Sequence, residues 1–194
     1  MDFFFSYSST YSYLSVMRAD SLAAKAGVAL RWRPFRLRTL TQEQNNRPFI
    51  GKPVKLRYMW RDVERRAKQH GIPFNGIPPY PVDAEALAHR VGVVAATQGW
   101  CPEYSKAAYR GWFVDHKDPG DAAQLNAVLA GLGKDPDSVI SQANSPQIEG
   151  LLVRETDAAR SLGIFGSPTF VVGEEIFWGD DRLETALEWS LSAH

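Results

Sequence analysis

Hydrophobic and polar positions along the chain fall into three successive modes. The first opens with an apolar run from Phe3 to Tyr7 and a hydroxyl-rich turn, Ser8-Ser-Thr-Tyr-Ser12. Small and apolar residues follow at helical spacing from Ser12 to Gly27, and then a second strand-like run from Val28 to Phe35. That order predicts strand, helix, strand, a βαβ unit. Ser9 or Ser12 can cap the helix by accepting from the free N–H groups of its first turn, and Gly27 suits its exit. A polar loop from Thr39 to Pro53, rich in Asn and Gln, ends this section.

The second mode predicts helices over 55–70, 83–99, 103–115, 121–131, 136–143 and 146–162, divided by Gly and Pro with no strand pattern among them. The third predicts two short strands, Thr169 to Val172 and Glu175 to Trp178, turning at Gly173-Glu174, and a last helix from Asp181 to about Ser192. A βαβ start, an all-helical middle and a ββα end predict an α/β, thioredoxin-like fold with a large all-helical insertion. The thioredoxin-like domain would comprise 1–52 and 161–194, and the insertion 53–160.

Composition narrows the chemistry. The 194 residues with 44% hydrophobic positions suffice for a core, and 22 basic against 22 acidic residues leave no whole-chain field to draw nucleic acid or an anionic membrane. A small neutral or singly charged ligand fits better. Cys101 is the only cysteine, which excludes an internal disulfide, a Cys-x-x-Cys pair and a cysteine-based structural zinc site. The apolar start lacks a basic flank and meets polar residues at once, and no segment approaches the roughly 20 apolar residues that span a bilayer. A cytoplasmic protein that binds neither membrane nor nucleic acid is expected.

Three stretches could carry chemistry. Ser9-Thr-Tyr-Ser12 lies between the first strand and first helix, where backbone N–H groups and the helix dipole stabilise a negative charge. In the thioredoxin fold this turn holds Cys-x-x-Cys, and here serine occupies both cysteine positions. A bare serine is a poor nucleophile without a base but a good donor to a thiolate brought by a ligand. Taken alone, the stretch is equally consistent with two helix caps. In Gly163-Ile-Phe-Gly-Ser-Pro-Thr-Phe170, Pro168 heads a strand. A cis bond before it would turn the backbone of Ser167 outward to pair with a short peptide, although only about 5–6% of X–Pro bonds are cis. Asp180 and Asp181, at the mouth of the last helix, read as caps or as carboxylates able to meet an amino group.

Taken together, Asp2-Phe-Phe-Phe-Ser-Tyr-Ser-Ser-Thr-Tyr-Ser-Tyr-Leu14, Asn46-Arg-Pro-Phe49 with Lys55, Arg61-Asp-Val-Glu-Arg65 leading to Gly71-Ile-Pro-Phe74, the Gly163–Phe170 stretch and Phe177-Trp-Gly-Asp-Asp-Arg182 resemble the 2-hydroxychromene-2-carboxylate isomerases. These are relatives of kappa-class glutathione transferases and, more distantly, of periplasmic disulfide oxidoreductases. The resemblance covers essentially the whole chain. It implies glutathione as cofactor, a small aromatic carboxylate as substrate, and a homodimer. It puts the catalytic serine on Ser9 and glutathione contacts on Ser9, Asn46, Lys55, Ser167, cis-Pro168, Asp180 and Asp181, with Lys55 also the first candidate for the substrate carboxylate. Thr10 replaces the usual proline, Ser6 a common Asp, and Asp180 a more typical Asn or Ser; Ser8 adds a hydroxyl expected to matter little beside Ser9. A kappa-like transferase or a non-catalytic thioredoxin-fold binding protein are the alternatives.

The other residues receive plainer readings. His70, His89, His116 and His194 have no metal-ligand spacing. Trp100, Trp112 and Trp189 are expected in the core, while Trp60 and the run Arg31-Trp-Arg33 are expected to be stacked at the surface.

Overall fold

The computed structural model describes residues 1–46, 48, 49 and 51–192; Arg47 of the Asn46–Phe49 motif and His194 lie outside the described residues. β1 (Asp2–Phe5) leads through the serine turn into α1 (Thr10–Val16), α2 (Ala19–Ala26), β2 (Arg31–Pro34) and α3 (Leu37–Glu43). The middle section holds α4 (Pro53–Gln69), α5 (Leu87–Gln98), α6 (Cys101–Phe113), α7 (Ala122–Gly131), α8 (Pro136–Ala143) and α9 (Pro146–Ser161). β3 (Thr169–Val172), β4 (Glu175–Trp178), a 3-10 turn at Asp180–Arg182 and α10 (Leu183–Ser192) close the chain.

The sheet order is β2-β1-β3-β4, with β1 parallel to β2 and antiparallel to β3. The three phenylalanines of β1 are closed to solvent, as an interior strand covered on both faces requires. Because side chains alternate across a strand, Phe3 and Phe5 point to one face and Phe4 to the other. Phe3 stacks on Phe170 at 4.9 Å and meets Trp32 edge-on at 5.0 Å. That face shares one apolar cluster with Tyr104, Tyr109, Trp112 and Phe113 of α6, so the helical middle section packs directly on the sheet. Phe4 instead joins Phe35, Leu40, Ala159 and Ile164, under α3 and α9. The turn after β1 thereby emerges at one sheet end with helices on both sides.

Several expectations are corrected in detail. The helix expected over 12–27 is two helices, broken at Met17–Arg18, where Arg18 reaches across to α10 and donates to Glu184 Oε1 at 2.5 Å and to the Asp180 carbonyl at 3.2 Å. Gly27 does end α2, in the left-handed region at φ 68°. The loop expected over 39–53 contains most of α3, because Leu37 and Leu40, one turn apart, bury into the Phe4 cluster. The helix expected from residue 83 starts at Leu87, since Asp83 and Ala86 adopt φ of 51° and 55°. Trp32 and Trp60 are core residues and not surface-stacked pairs: Trp32 fills the space between Phe3 and Phe5, and Trp60 packs beside Phe113. Trp189 is 46% exposed and not core, on the outer side of the terminal helix near Phe177.

Candidate active site

The site grows from the turn that the buried β1 delivers. Tyr109 of α6 donates its hydroxyl to the Ser6 carbonyl at 2.6 Å, and the Ser9 N–H closes the turn on the same carbonyl at 2.8 Å. Ser9 is extended (φ −98°, ψ 122°) and caps α1, its Oγ accepting from the Ser12 N–H at 3.4 Å. The hydroxyl proton points elsewhere, to the Ser167 carbonyl at 2.9 Å. Ser9 is therefore both cap and cross-link, at 7% exposure. Thr10, in the position of the family's proline, donates to the Met59 sulfur at 2.9 Å and ties α1 to α4.

Opposite Ser9 stands the proline loop. The Ser167–Pro168 bond is cis. Ser167 Oγ lies 2.7 Å from Ser12 Oγ, so the two serines that replace the cysteines both engage the residue before the proline. The Gly179 N–H donates to the Pro168 carbonyl at 2.9 Å, which carries the chain from this loop directly to Asp180 and Asp181.

The two aspartates differ. Asp180 is buried, and Arg66 of α4 holds its Oδ2 through Nε at 2.7 Å and a terminal nitrogen at 2.6 Å. Burial pushes this carboxyl up to about 6, against the pull of Arg66 and with a further push from Asp181. Asp181 is exposed, its carboxylate 3.0 Å from Arg182. Asn46 is exposed at the end of the segment after α3, its N–H bonded to the Thr41 carbonyl. Lys55 is exposed in the first turn of α4, its ammonium 5.8 Å from the Phe49 ring. Lys55 and Met59 are four residues apart, so Lys55 lies one turn beyond the residue that receives Thr10. A shallow groove of about 510 Å³ runs along this end of α4, lined by Lys52, Pro53, Val54, Lys55 and Tyr58.

Ser9, Ser12, Ser167 and Pro168 thus form one bonded group; Asp180 joins it through Gly179, whereas Asn46 and Lys55 stand apart from it on the surface. Sequence reasoning missed Arg66 as the partner of Asp180, because the mixed charges from Arg57 to Lys68 have the pattern of a solvated helix face. It also missed His89, whose Nδ1 meets Asp83 and whose Nε2 lies 2.8 Å from Ser6 Oγ. The available signal was an Asp at the first position of the helix predicted over 83–99, with a His six residues on.

The DSBA-like thioredoxin domain matches residues 1–188, and the chain belongs to that family. Within it, the chain is 27% identical over 186 residues to a 2-hydroxychromene-2-carboxylate isomerase of Sphingobium xenophagum, covering 95% of this chain and 94% of the relative. It is 25% identical over 195 residues to glutathione S-transferase kappa 1 of Caenorhabditis elegans, covering 94% and 86%. A solved 2-hydroxychromene-2-carboxylate isomerase superposes with a TM-score of 0.87 at 25% identity, covering 99% of this chain and 94% of the other.

Proposed function

We propose that this protein is a glutathione-dependent isomerase that interconverts 2-hydroxychromene-2-carboxylate and trans-o-hydroxybenzylidenepyruvate, or a closely related aromatic acid, in the cytoplasmic breakdown of aromatic compounds. The observation that carries this reading is the pairing of Ser9 with the cis-proline loop: a hydroxyl donor stands where the fold otherwise keeps a reactive cysteine. Isomerase relatives aligned over nearly their whole length support the reaction class, and the kappa transferase relative supports glutathione.

The donor set fits a bound tripeptide thiol. Ser9 can turn its O–H from the Ser167 carbonyl to a sulfur while its lone pair keeps the Ser12 N–H, so α1 remains capped. The same movement frees the Ser167 carbonyl for an extended peptide backbone, and Ser12 continues to hold the Ser167 side chain. Glutathione, when bound, would supply a thiolate that adds reversibly to the conjugated substrate and is not consumed. Ser9 stabilises that negative charge by direct donation, with the unpaired N–H groups of the first turn of α1 behind it. Asp181 is the exposed carboxylate, paired among the described residues only with an exposed Arg182, that can meet the γ-glutamyl α-amino group; Asp180 sets the chain there through Arg66 and Gly179. Asn46 contributes a polar contact to the tripeptide, and Lys55 an ammonium for the substrate carboxylate as charge spreads onto it.

Turnover of 2-hydroxychromene-2-carboxylate, followed by absorbance with and without glutathione, tests the reading. Isomerisation only with glutathione, with no loss of the thiol, is expected. Net consumption of glutathione into a conjugate would instead assign a kappa-like transferase, the reading that the transferase relative favours.

A further inference from the structure

Beneath the serine turn lies a bonded series of side chains that the scheme above leaves idle. His89, in the first turn of α5, points Nδ1 at Asp83 Oδ2 and Nε2 at Ser6 Oγ, 2.8 Å away. Ser6 Oγ in turn lies 3.0 Å from Ser8 Oγ. Asp83, His89 and Ser6 are closed to solvent, whereas Ser8 is half-buried and lines a cleft of about 270 Å³ between α3 and the 83–89 segment. The order of donors follows from the carboxylate. Burial raises the Asp83 carboxyl, but bonds from His89 and the N–H groups of Ala88 and His89 outweigh it and hold the group below its ordinary value. An ionised carboxylate only accepts, so Nδ1 carries a proton; in the neutral imidazole Nε2 then accepts from Ser6, and Ser6 Oγ from Ser8.

The series is held rigidly. Asp83 Oδ1 accepts from the Ala88 N–H at 3.0 Å, and the Asp83 N–H donates to Asp118 at 2.9 Å. A Cβ at Gly120 would stand 2.6 Å from Asp83 Oδ1, so the 118–120 loop closes over the carboxylate with no space left. Arg38 donates to the carbonyls of Val82 and Ala84 at 3.1 and 3.5 Å, fixing the segment to α3. The other groups around His89 are the ring of Tyr7, edge-on at 5.5 Å, and Tyr104, whose hydroxyl donates to the Ala88 carbonyl. Burial pushes both phenols well above their ordinary value, so they stay neutral. Across the cleft stand Arg36, occupied by Glu149, and Arg38 and Glu85.

Against the expectation from sequence that Ser8 matters little beside Ser9, we infer that Ser8 is a catalytic residue, the outer end of a proton relay through Ser6 to the His89–Asp83 pair that serves the hydroxyl oxygens of an o-hydroxyaryl acid seated in the cleft. The inference rests on the isomerase reading. As the cyclic hemiketal opens, its O–H electron pair becomes the second bond of the ketone. The proton passes to Ser8, that of Ser8 to Ser6, and that of Ser6 to His89 Nε2, whose positive charge Asp83 balances. The ring C–O bond breaks with its pair on the phenolic oxygen, which takes a proton back along the same hydroxyls. No electrons leave, and nothing is consumed besides the substrate, glutathione being returned unchanged.

Two measurements on the full chain test this. The first follows the His89 imidazole nitrogens by NMR while trans-o-hydroxycinnamate is added. The Nε2 resonance should move in the wild type and in Ser8→Thr, which keeps the hydroxyl, and stay still in Ser8→Ala at the same ligand occupancy. The second is kcat/KM with glutathione. Ser8→Ala should lose about 10²-fold at neutral pH, where the glutathione thiolate is populated in both proteins, while Ser8→Thr recovers the rate. A wild type that moves the His89 signal but does not turn over the chromene acid would sink the isomerase reading and leave the relay standing. An unmoved His89 signal, absent binding, or an Ser8→Ala enzyme with the wild-type rate would overturn the relay.

Discussion

Asp83 and Asp180 are both buried aspartates near the serine turn, each just before a helix, yet their environments drive them in opposite directions. Asp83 divides its two oxygens among a histidine and two backbone N–H groups and is held low. Asp180 has a full guanidinium, but on one oxygen, with Asp181 adjacent, and burial lifts it to about 6. At Asp83 the bond and charge of His89, helped by two backbone N–H groups, outweigh burial, whereas at Asp180 burial outweighs Arg66. The contrast extends to stability. Asp83 contributes stability above the ordinary carboxylate range that is lost as pH falls through its lowered value. Asp180 behaves oppositely: it holds a proton in the fold that it would lose when unfolded, so its contribution declines as pH rises from about 4 to about 6.

The sharpest way to break this comparison is Arg66→Ala. At pH 8 it leaves Asp180 buried without the guanidinium bonded to its carboxyl, and urea unfolding should show a loss of about 3 kcal/mol. At pH 5, below the Asp180 value of about 6, the carboxyl is protonated and the loss should be clearly smaller. An equal loss at both values would mean that Arg66 acts by packing alone. Asp83→Asn should be milder, about 2 kcal/mol at neutral pH, and its gap from wild type should persist at pH 5 and close only at pH below the ordinary carboxylate range, where Asp83 itself takes a proton. The smallest effect belongs to Asp181→Asn. Its exposed position predicts an unchanged melting temperature and a glutathione affinity lowered about two- to fivefold in calorimetry. Lowered stability with unchanged affinity would make Asp181 purely structural.

The fold was largely legible because its signals are local. The Phe3–Phe5 run can only be an interior strand, and the Ser9 cap, the Gly27 exit and the ββα ending depend on residues adjacent in sequence. What escaped was long-range. Arg18 breaks a helix through contacts more than 160 residues away, Arg66 finds Asp180 from a helix that looks solvated, and Leu40 turns a polar stretch into α3 by packing under Phe4. The site shows the same division. Ser9, Ser167 and Pro168 declare themselves as motifs, whereas the His89–Ser6 bond joins residues 83 apart and follows only from the way α5 crosses the serine turn.

The central claim is that Ser9 makes this turn a thiolate site, and it is tested most directly by the ionisation of bound glutathione, read from ultraviolet thiolate absorbance against pH. In the wild type the bound thiol should ionise well below its free-solution value. In Ser9→Ala, with glutathione still bound, it should return toward that value, with turnover lower by roughly 10²-fold. A bound thiol that ionises identically in both proteins would contradict the account.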